Sequence, residues 1–253
     1  MGNEWLRPGE RLDDLLIGNL KIIQHEQQFC FSLDAVLLAH FATVRPEVTA
    51  CDLGAGTGVL GLLLAARGAG HVTGIELNEY MVEMAKRSIA LNGLEDRLYM
   101  VCADVQEIKS LFAAGAMELI VMNPPYRLPG GGFVSANQGV ANARHELSGS
   151  LEQFVAAASY LVKYRGRVAM VHLPERMPEV LKTMMQYDLE PKRLRLVFPT
   201  VEKKPKFLLV EGVRGARPGL EVLPPLFVFR PDGSYSQEIT SYYENQSQEG
   251  EGR

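Results

Sequence analysis

Apolar positions are scattered over the first fifty residues, then fall into a regular alternation. Short apolar runs at about 49–53, 71–76, 97–103, 117–122 and 166–173 have the length of strands. Between them, stretches at about 58–67, 79–92, 151–164 and 175–187 carry the spacing of helices. Arg97-Leu-Tyr-Met-Val-Cys-Ala103 is apolar nearly throughout, as expected of a parallel strand covered on both faces. Gly93 stands where a glycine ends the second helix, and Ser150 with Gln153 makes a capping box for the third. Strands alternating with helices predict a doubly wound α/β fold with helices on both faces of the sheet. After residue 190 the alternation stops. Lys192–Phe198 and Lys206–Val213 both read as strands, and the Pro199–Pro205 linker has no room for a helix. The pair predicts an antiparallel hairpin on the edge of the sheet, for seven strands in all.

The flanks differ from this body. Residues 1–31 form an N-terminal extension, with extended pieces near Leu15–Ile23 and Gln27–Phe31 and a turn at Gly18-Asn19, so a small β-hairpin is expected. Ser32 is placed to cap a helix that buries Val36, Leu37 and Phe41, with His40 a packed or surface histidine rather than a ligand. The main domain then runs over 32–235. Residues 236–253, rich in Ser, Gln, Glu, Asn and Gly, predict a disordered acidic tail.

Composition narrows the class. The chain has 253 residues, 47% hydrophobic and 22% charged, which is ordinary for a soluble domain. Its longest apolar runs, such as Val59–Ala66, are too short to span a bilayer, and no signal peptide opens the chain. Cys30, Cys51 and Cys102 are too few and too far apart for a zinc motif or a disulfide framework, and Cys51 and Cys102 read as core residues. A cytoplasmic protein with no structural metal, no membrane association and no obligate protein partner is expected. The formal charge of −4 is uneven: Glu190–Arg217 holds eight basic residues against three acidic ones. That concentration fits phosphate contacts, with Lys192, Arg193, Lys203 and Lys204 as candidates; edge-strand lysines that discourage aggregation are the plainer reading.

The chemistry lies at the strand ends. Leu119–Met122 stops abruptly in Asn123-Pro124-Pro125-Tyr126. Two prolines remove two backbone donors and stiffen the turn. Asn123 Oδ1 and the Pro124 carbonyl are then two acceptors able to converge on one –NH2 group, and Tyr126 can stack on a flat substrate. The alternative reading of the motif alone is a rigid strand-end turn with a buried tyrosine.

In an open α/β sheet, ligands bind at the carboxyl ends of the strands. The first such end here is Asp52-Leu-Gly54-Ala-Gly56-Thr-Gly58; the next two end in Glu76 and Asp104. Gly56-x-Gly58-x-x-Gly61 matches a dinucleotide fingerprint by letter, but that register puts Gly61 inside the helix. An acidic strand end such as Glu76 suits two ribose hydroxyls, and Asp104 can accept from an adenine amine. Asp52 decides between cofactors, because a carboxylate repels a diphosphate and attracts an ammonium-bearing sulfonium ligand. The set Asp52, Gly54, Gly56, Gly58, Glu76, Asp104 and Asn123 points to S-adenosylmethionine over NAD.

With both motifs in place, the sequence resembles the class I S-adenosylmethionine-dependent methyltransferases of the amino-methylating group. Asp52–Gly58 is similar to their first motif, Glu76 and Asp104 fall at their acidic cofactor positions, and Asn123–Tyr126 is similar to their catalytic motif. The resemblance covers roughly residues 30–215 and implies a Rossmann-like seven-strand sheet ending in an antiparallel hairpin. It extends to a bacterial subgroup, the tRNA(Val) adenine-N6 methyltransferases acting beside the anticodon and related small-domain enzymes. The residues carrying this are Asp13-Asp14-Leu15, Phe31–Leu38, Ala143–Glu146, Leu209–Gly212 and Pro224-Pro225-Leu226. It implies methyl transfer to N6 of a tRNA adenosine, with Asn123, Pro124 and Tyr126 catalytic and tRNA as partner. Tyr126, Arg127, Arg144 and His145 are further substrate contacts, with a local Glu146 pair the alternative for the last two, and 127–143, with its three glycines at 130–132, is a candidate lid. N5-methylation of a protein glutamine and N2-methylation of ribosomal RNA guanine share the same amine chemistry and stay open.

Overall fold

The computed structural model describes residues 4–26, 28, 30, 32–126 and 150–244. The alternation read from the sequence is present. Strands β3 (Thr49–Leu53), β4 (His71–Glu76), β5 (Leu98–Cys102), β6 (Met117–Met122) and β7 (Val162–His172) are parallel neighbours in the order β7-β6-β3-β4-β5. β8 (Leu189–Phe198) and β9 (Phe207–Arg214) form the expected antiparallel hairpin. β9 is the inner member, antiparallel to β7 as well, so β8 runs parallel to β7. The hairpin is not the edge: short strands β10 (Glu221–Val222) and β11 (Leu226–Phe227) add to the outer side of β8.

Helices α1 (Leu33–Phe41), α2 (Val59–Ala66) and α3 (Glu79–Leu91) cover one face. Val36, Leu62 and Val82 from them pack with Ala50, Val121 and Ala169 of the strands. The short α4 (Ile108–Leu111), α5 (Leu151–Leu161) and α6 (Met177–Gln186) cover the other, where Ile108, Phe154 and Met184 meet Cys51, Met122 and Met170. Neighbouring strand residues therefore go to opposite cores, which is why the middles of these strands are largely apolar on both faces. The Ser150–Gln153 capping box is formed, and Gly93 has the positive φ that ends α3.

Three expectations are corrected. The N-terminal hairpin exists, but its strands are β1 (Glu10–Asp14) and β2 (Lys21–His25) around the Gly18-Asn19 turn, and the described part of 27–31 forms no strand. It is held against α3 by Arg87, which binds both oxygens of the buried Glu10 and pulls that carboxyl down to about 2. The segment after 236 is not all tail: α7 (Gln237–Glu244) buries Ile239 and stacks Tyr242 on His40 at 4.1 Å. Residues 245–253 lie outside the described residues. Cys102 is exposed, not core, because β5 is the edge strand of the sheet. Among the described residues no helix is long and apolar enough to cross a membrane.

Candidate active site

The site is built where β3, β4, β5 and β6 end. Between β3 and α2 the chain turns through Gly54, Gly56 and Gly58, all with positive φ. A Cβ on Gly54 would lie 3.0 Å from the Phe154 ring, and one on Gly58 3.1 Å from the Ala85 Cβ. The loop is tied to β4: Gly54 and Ala55 amides donate to the Ile75 carbonyl, and the Gly56 amide donates to Glu76 Oε2 at 2.9 Å. The other oxygen of Glu76 accepts the Asn78 amide at 2.8 Å. Gly61 sits inside α2, so the dinucleotide register does not apply.

Asp52 lies under this loop, fully buried, and neither of its oxygens has a hydrogen-bond partner among the described residues. Burial, then the neighbouring Glu76 charge, push its carboxyl up to about 8. A buried, unpaired carboxylate beside a second one demands a cation or a proton. The arrangement fits the ammonium-bearing, sulfonium ligand expected from the sequence and disfavours a diphosphate. Asp104 stands two residues past the end of β5, where its Oδ1 accepts the Gln106 amide at 2.8 Å and caps a short 3-10 turn. Leu77, directly after Glu76, is an exposed apolar side chain on the same rim.

The Asn123–Tyr126 turn leaves β6 beside the loop, since Leu53 and Met122 are paired across β3 and β6. Its anchor is a residue that the sequence reading did not single out. Asp34, on the first turn of α1 and 2% exposed, accepts from Asn123 Nδ2 at 3.1 Å and from the Tyr126 hydroxyl at 2.8 Å, both on Oδ2. Its Oδ1 accepts from Ser32 Oγ and the Ala35 amide. Ser32 therefore holds Asp34 and makes no side-chain cap of its own. Burial, followed by the Asp34 charge, raises the Tyr126 phenol well above its usual range.

Two more residues complete the surround. His172, at the end of β7, stands edge-on to the Tyr126 ring at 5.4 Å. Its Nδ1 accepts the Leu173 amide at 2.8 Å, so Nε2 carries the proton, and that buried nitrogen has no partner among the described residues. Burial, then Arg176, lower its imidazole to about 4. Arg176 donates to the Tyr126 carbonyl at 3.0 Å while its other nitrogens hold Glu179. None of these partners is near in sequence, and no local pattern signals them.

The strand ends thus bring Asp52, Gly54, Gly56, Gly58, Glu76, Asp104, Asn123, Pro124 and Tyr126 to one rim. Arg127, Arg144, His145 and the loop 128–143 lie outside the described residues. The basic candidates divide. Lys203 and Lys204 are exposed on the turn after β8, which leaves the sheet on the same edge as β6. Lys192 and Arg193 lie toward the opposite end of β8, Lys192 about 20 Å from Phe198 by strand rise. Arg193 is moreover engaged inside the protein. It reaches Thr43 Oγ1 and the fully buried Glu211, which also binds Arg167 at 2.7 Å, and it covers the Phe41 ring at 4.8 Å. Arg193 is structural in this fold rather than a free phosphate contact.

The family model for the methyltransferase small domain matches residues 30–186. A Porphyromonas gingivalis protein named tRNA1(Val) (adenine(37)-N6)-methyltransferase is 30% identical over 81% of this chain and 83% of its own. A Shewanella woodyi protein of the same name is 26% identical over 84% and 91%. Among solved structures, a predicted O-methyltransferase from Agrobacterium tumefaciens superposes with a TM-score of 0.68 at 23% identity, covering 84% of this chain and 96% of that one. Geranyl diphosphate C-methyltransferase from Streptomyces coelicolor, solved with S-adenosyl-L-homocysteine, gives 0.55 at 14% identity, over 71% and 78%. The last two speak for the fold.

Proposed function

The chain belongs to the methyltransferase small-domain family, and on that premise we propose that it methylates N6 of an adenosine in tRNA, at the site named for its relatives, using S-adenosylmethionine. The observation that carries the reading is Asn123-Pro124 at the end of β6, beside a glycine loop with an unpaired carboxylate beneath it. The relatives' shared name supplies the substrate class.

Asp52 would answer the cofactor's positive charge, Glu76 its ribose hydroxyls and Asp104 its adenine amine, with the glycine loop against its backbone. Bound there, the cofactor supplies a sulfonium-activated methyl group and is left as a thioether. The protein's part is alignment. Asn123 Oδ1 and the Pro124 carbonyl accept the two N6 protons, drawing the nitrogen lone pair out of the ring's conjugation. The surplus proton becomes acidic only once the new N–C bond forms, and passes to water. No strong base is needed. Tyr126 would pack against an adenine that has left its stack. Lys203 and Lys204, about 14 Å from β6 by three strand spacings, would meet flanking phosphates.

The test is methyl transfer from labelled cofactor to tRNA made without modifications, followed by nucleoside mass analysis. N6-methyladenosine that disappears in Asn123→Ala is expected. Transfer to ribosomal RNA or a glutamine peptide, with none to tRNA, would overturn the reading.

A further inference from the structure

We propose that Asp34 is a positioning residue for methyl transfer: one buried carboxylate on α1 fixes which way the Asn123 amide faces and where the Tyr126 ring stands. The proposal rests on the amine-methylating reading of this site and adds to it a residue outside the Asn-Pro-Pro-Tyr motif.

A carboxylate oxygen only accepts, so the Asn123 atom facing Asp34 Oδ2 at 3.1 Å must be the Nδ2 donor. An amide is a planar fork, so fixing Nδ2 toward Asp34 turns Oδ1 the other way. Without that partner the two ends of the amide are nearly the same size, and the opposite orientation would present a donor to a donor amine. The Tyr126 hydroxyl, at 2.8 Å from the same Oδ2, spaces the aromatic ring from the amide. Both ends of the turn are thereby referred to one atom.

A plain helix-anchoring role does not account for this. The contacts that hold the start of α1, to Ser32 and to the Ala35 amide, fall on Oδ1. Among the described residues, Oδ2 serves only Asn123 and Tyr126, 89 and 92 positions away. Those contacts also keep the carboxylate from rotating, since the Ala35 amide cannot move out of the helix. A buried polar network with every member matched holds one arrangement and excludes the others.

The test uses an isosteric exchange and its reciprocal. In Asp34→Asn the backbone amide of Ala35 keeps the side-chain oxygen, so the introduced –NH2 faces Asn123 and forces its amide over. The expected result is a kcat lower by about 100-fold, with cofactor affinity and melting temperature little changed. Adding Asn123→Asp restores a donor–acceptor match across the pair and leaves an oxygen facing the substrate, so kcat should recover by about tenfold or more over the single variant. A purely structural role would not give that recovery.

A second readout depends neither on Asp34→Asn folding nor on an active substrate. In the wild-type chain, NMR of the Asn123 side-chain amide, assigned with Asn123→Ala, should show protons that exchange slowly with solvent. Fast exchange typical of a surface asparagine would overturn the proposal. So would Asp34→Asn retaining wild-type kcat, or a double variant no better than the single one. If the wild type transfers nothing to tRNA, the substrate assignment fails, and the amide protons still decide the role of Asp34.

Discussion

Glu76 holds the Gly56 amide on one carboxylate oxygen at 2.9 Å, so the residue at the end of β4 also sets the shape of the loop that leaves β3. Replacing it therefore does two things at once: it removes the acceptors proposed for a ribose and releases the loop. Glu76→Ala is expected to weaken binding of S-adenosylhomocysteine by about 10- to 100-fold, the scale of one or two hydrogen bonds to a charged group. Titration calorimetry measures this directly. Affinity equal to wild type would show that the loop holds its shape without Glu76 and that ribose is bound elsewhere.

Asp52 and His172 give stability a pH dependence with opposite signs. Asp52 is raised to about 8 from an ordinary 3.8, so the folded chain keeps a proton there that the unfolded chain loses. Stability from this residue is present at low pH and is lost as pH rises from about 4 to about 8. His172 is lowered to about 4 from 6.5, so its contribution is present at high pH and lost as pH falls from about 6.5 to about 4. The two oppose each other below about 6.5 and only Asp52 acts above it. Without cofactor, melting temperature should decline between pH 6.5 and 8, and Asp52→Asn should remove that decline. An unaltered slope in the variant would place the titration on another group.

The same Asp52 links cofactor binding to protons. A cationic ligand favours the carboxylate, so binding at pH 7 should release a proton from this residue. Calorimetry of S-adenosylmethionine in buffers of different ionisation enthalpy should show that release, and Asp52→Asn should abolish it. Equal proton release by wild type and variant would exclude Asp52 as its source.

Glu211 is fully buried and receives Arg167, Arg193 and both the amide and the hydroxyl of Thr43. Removing one partner from such a cluster leaves the others without counter-charge. Glu211→Ala is expected to destabilise the chain by about 3 kcal/mol or more, read by urea unfolding. A variant as stable as wild type would mean that water replaces the carboxylate without loss.

Lys203 and Lys204 stand exposed on the turn after β8, whereas Arg193 is tied down. Charge reversal of both lysines should weaken tRNA binding, lower its salt dependence by about one unit for each phosphate no longer neutralised, and leave cofactor affinity alone. Substituting Lys192, at the far end of the strand, should do little. The reverse pattern, in which Lys192 matters and the turn does not, would move the RNA to the opposite edge.

The central sheet and its helices were legible because every buried strand feeds two cores. Ala50 and Cys51, or Val121 and Met122, face opposite layers, and that leaves an unbroken apolar run in the sequence. The strand-end motif was legible for the same reason, since the apolar run stops at Asn123. What stayed hidden depends on distant partners. Asp34 reads as an ordinary helix-start residue until its contacts are seen. Arg193 reads as a free charge because Glu211 lies across the hairpin on the next strand. α7 was missed because Ile239 is its one fully buried side chain among polar neighbours, too little to make a periodic signal.

The hydrogen bonds from Thr43 to Glu211 close a separation of 168 residues, and they lie just past the helix that carries Asp34. During synthesis the chain leaves the ribosome from its N-terminus, and domains complete their folding only when the needed segments have emerged. The Asn-Pro-Pro-Tyr turn and its glycine loop are made well before β9 exists. Arg67 already holds the end of α1 at the Ala39 and Ala42 carbonyls, and the tether to Glu211 is added only when β9 has been translated. A nascent or prematurely terminated chain therefore carries the recognisable motifs on a helix whose C-terminal end still lacks its link to the hairpin.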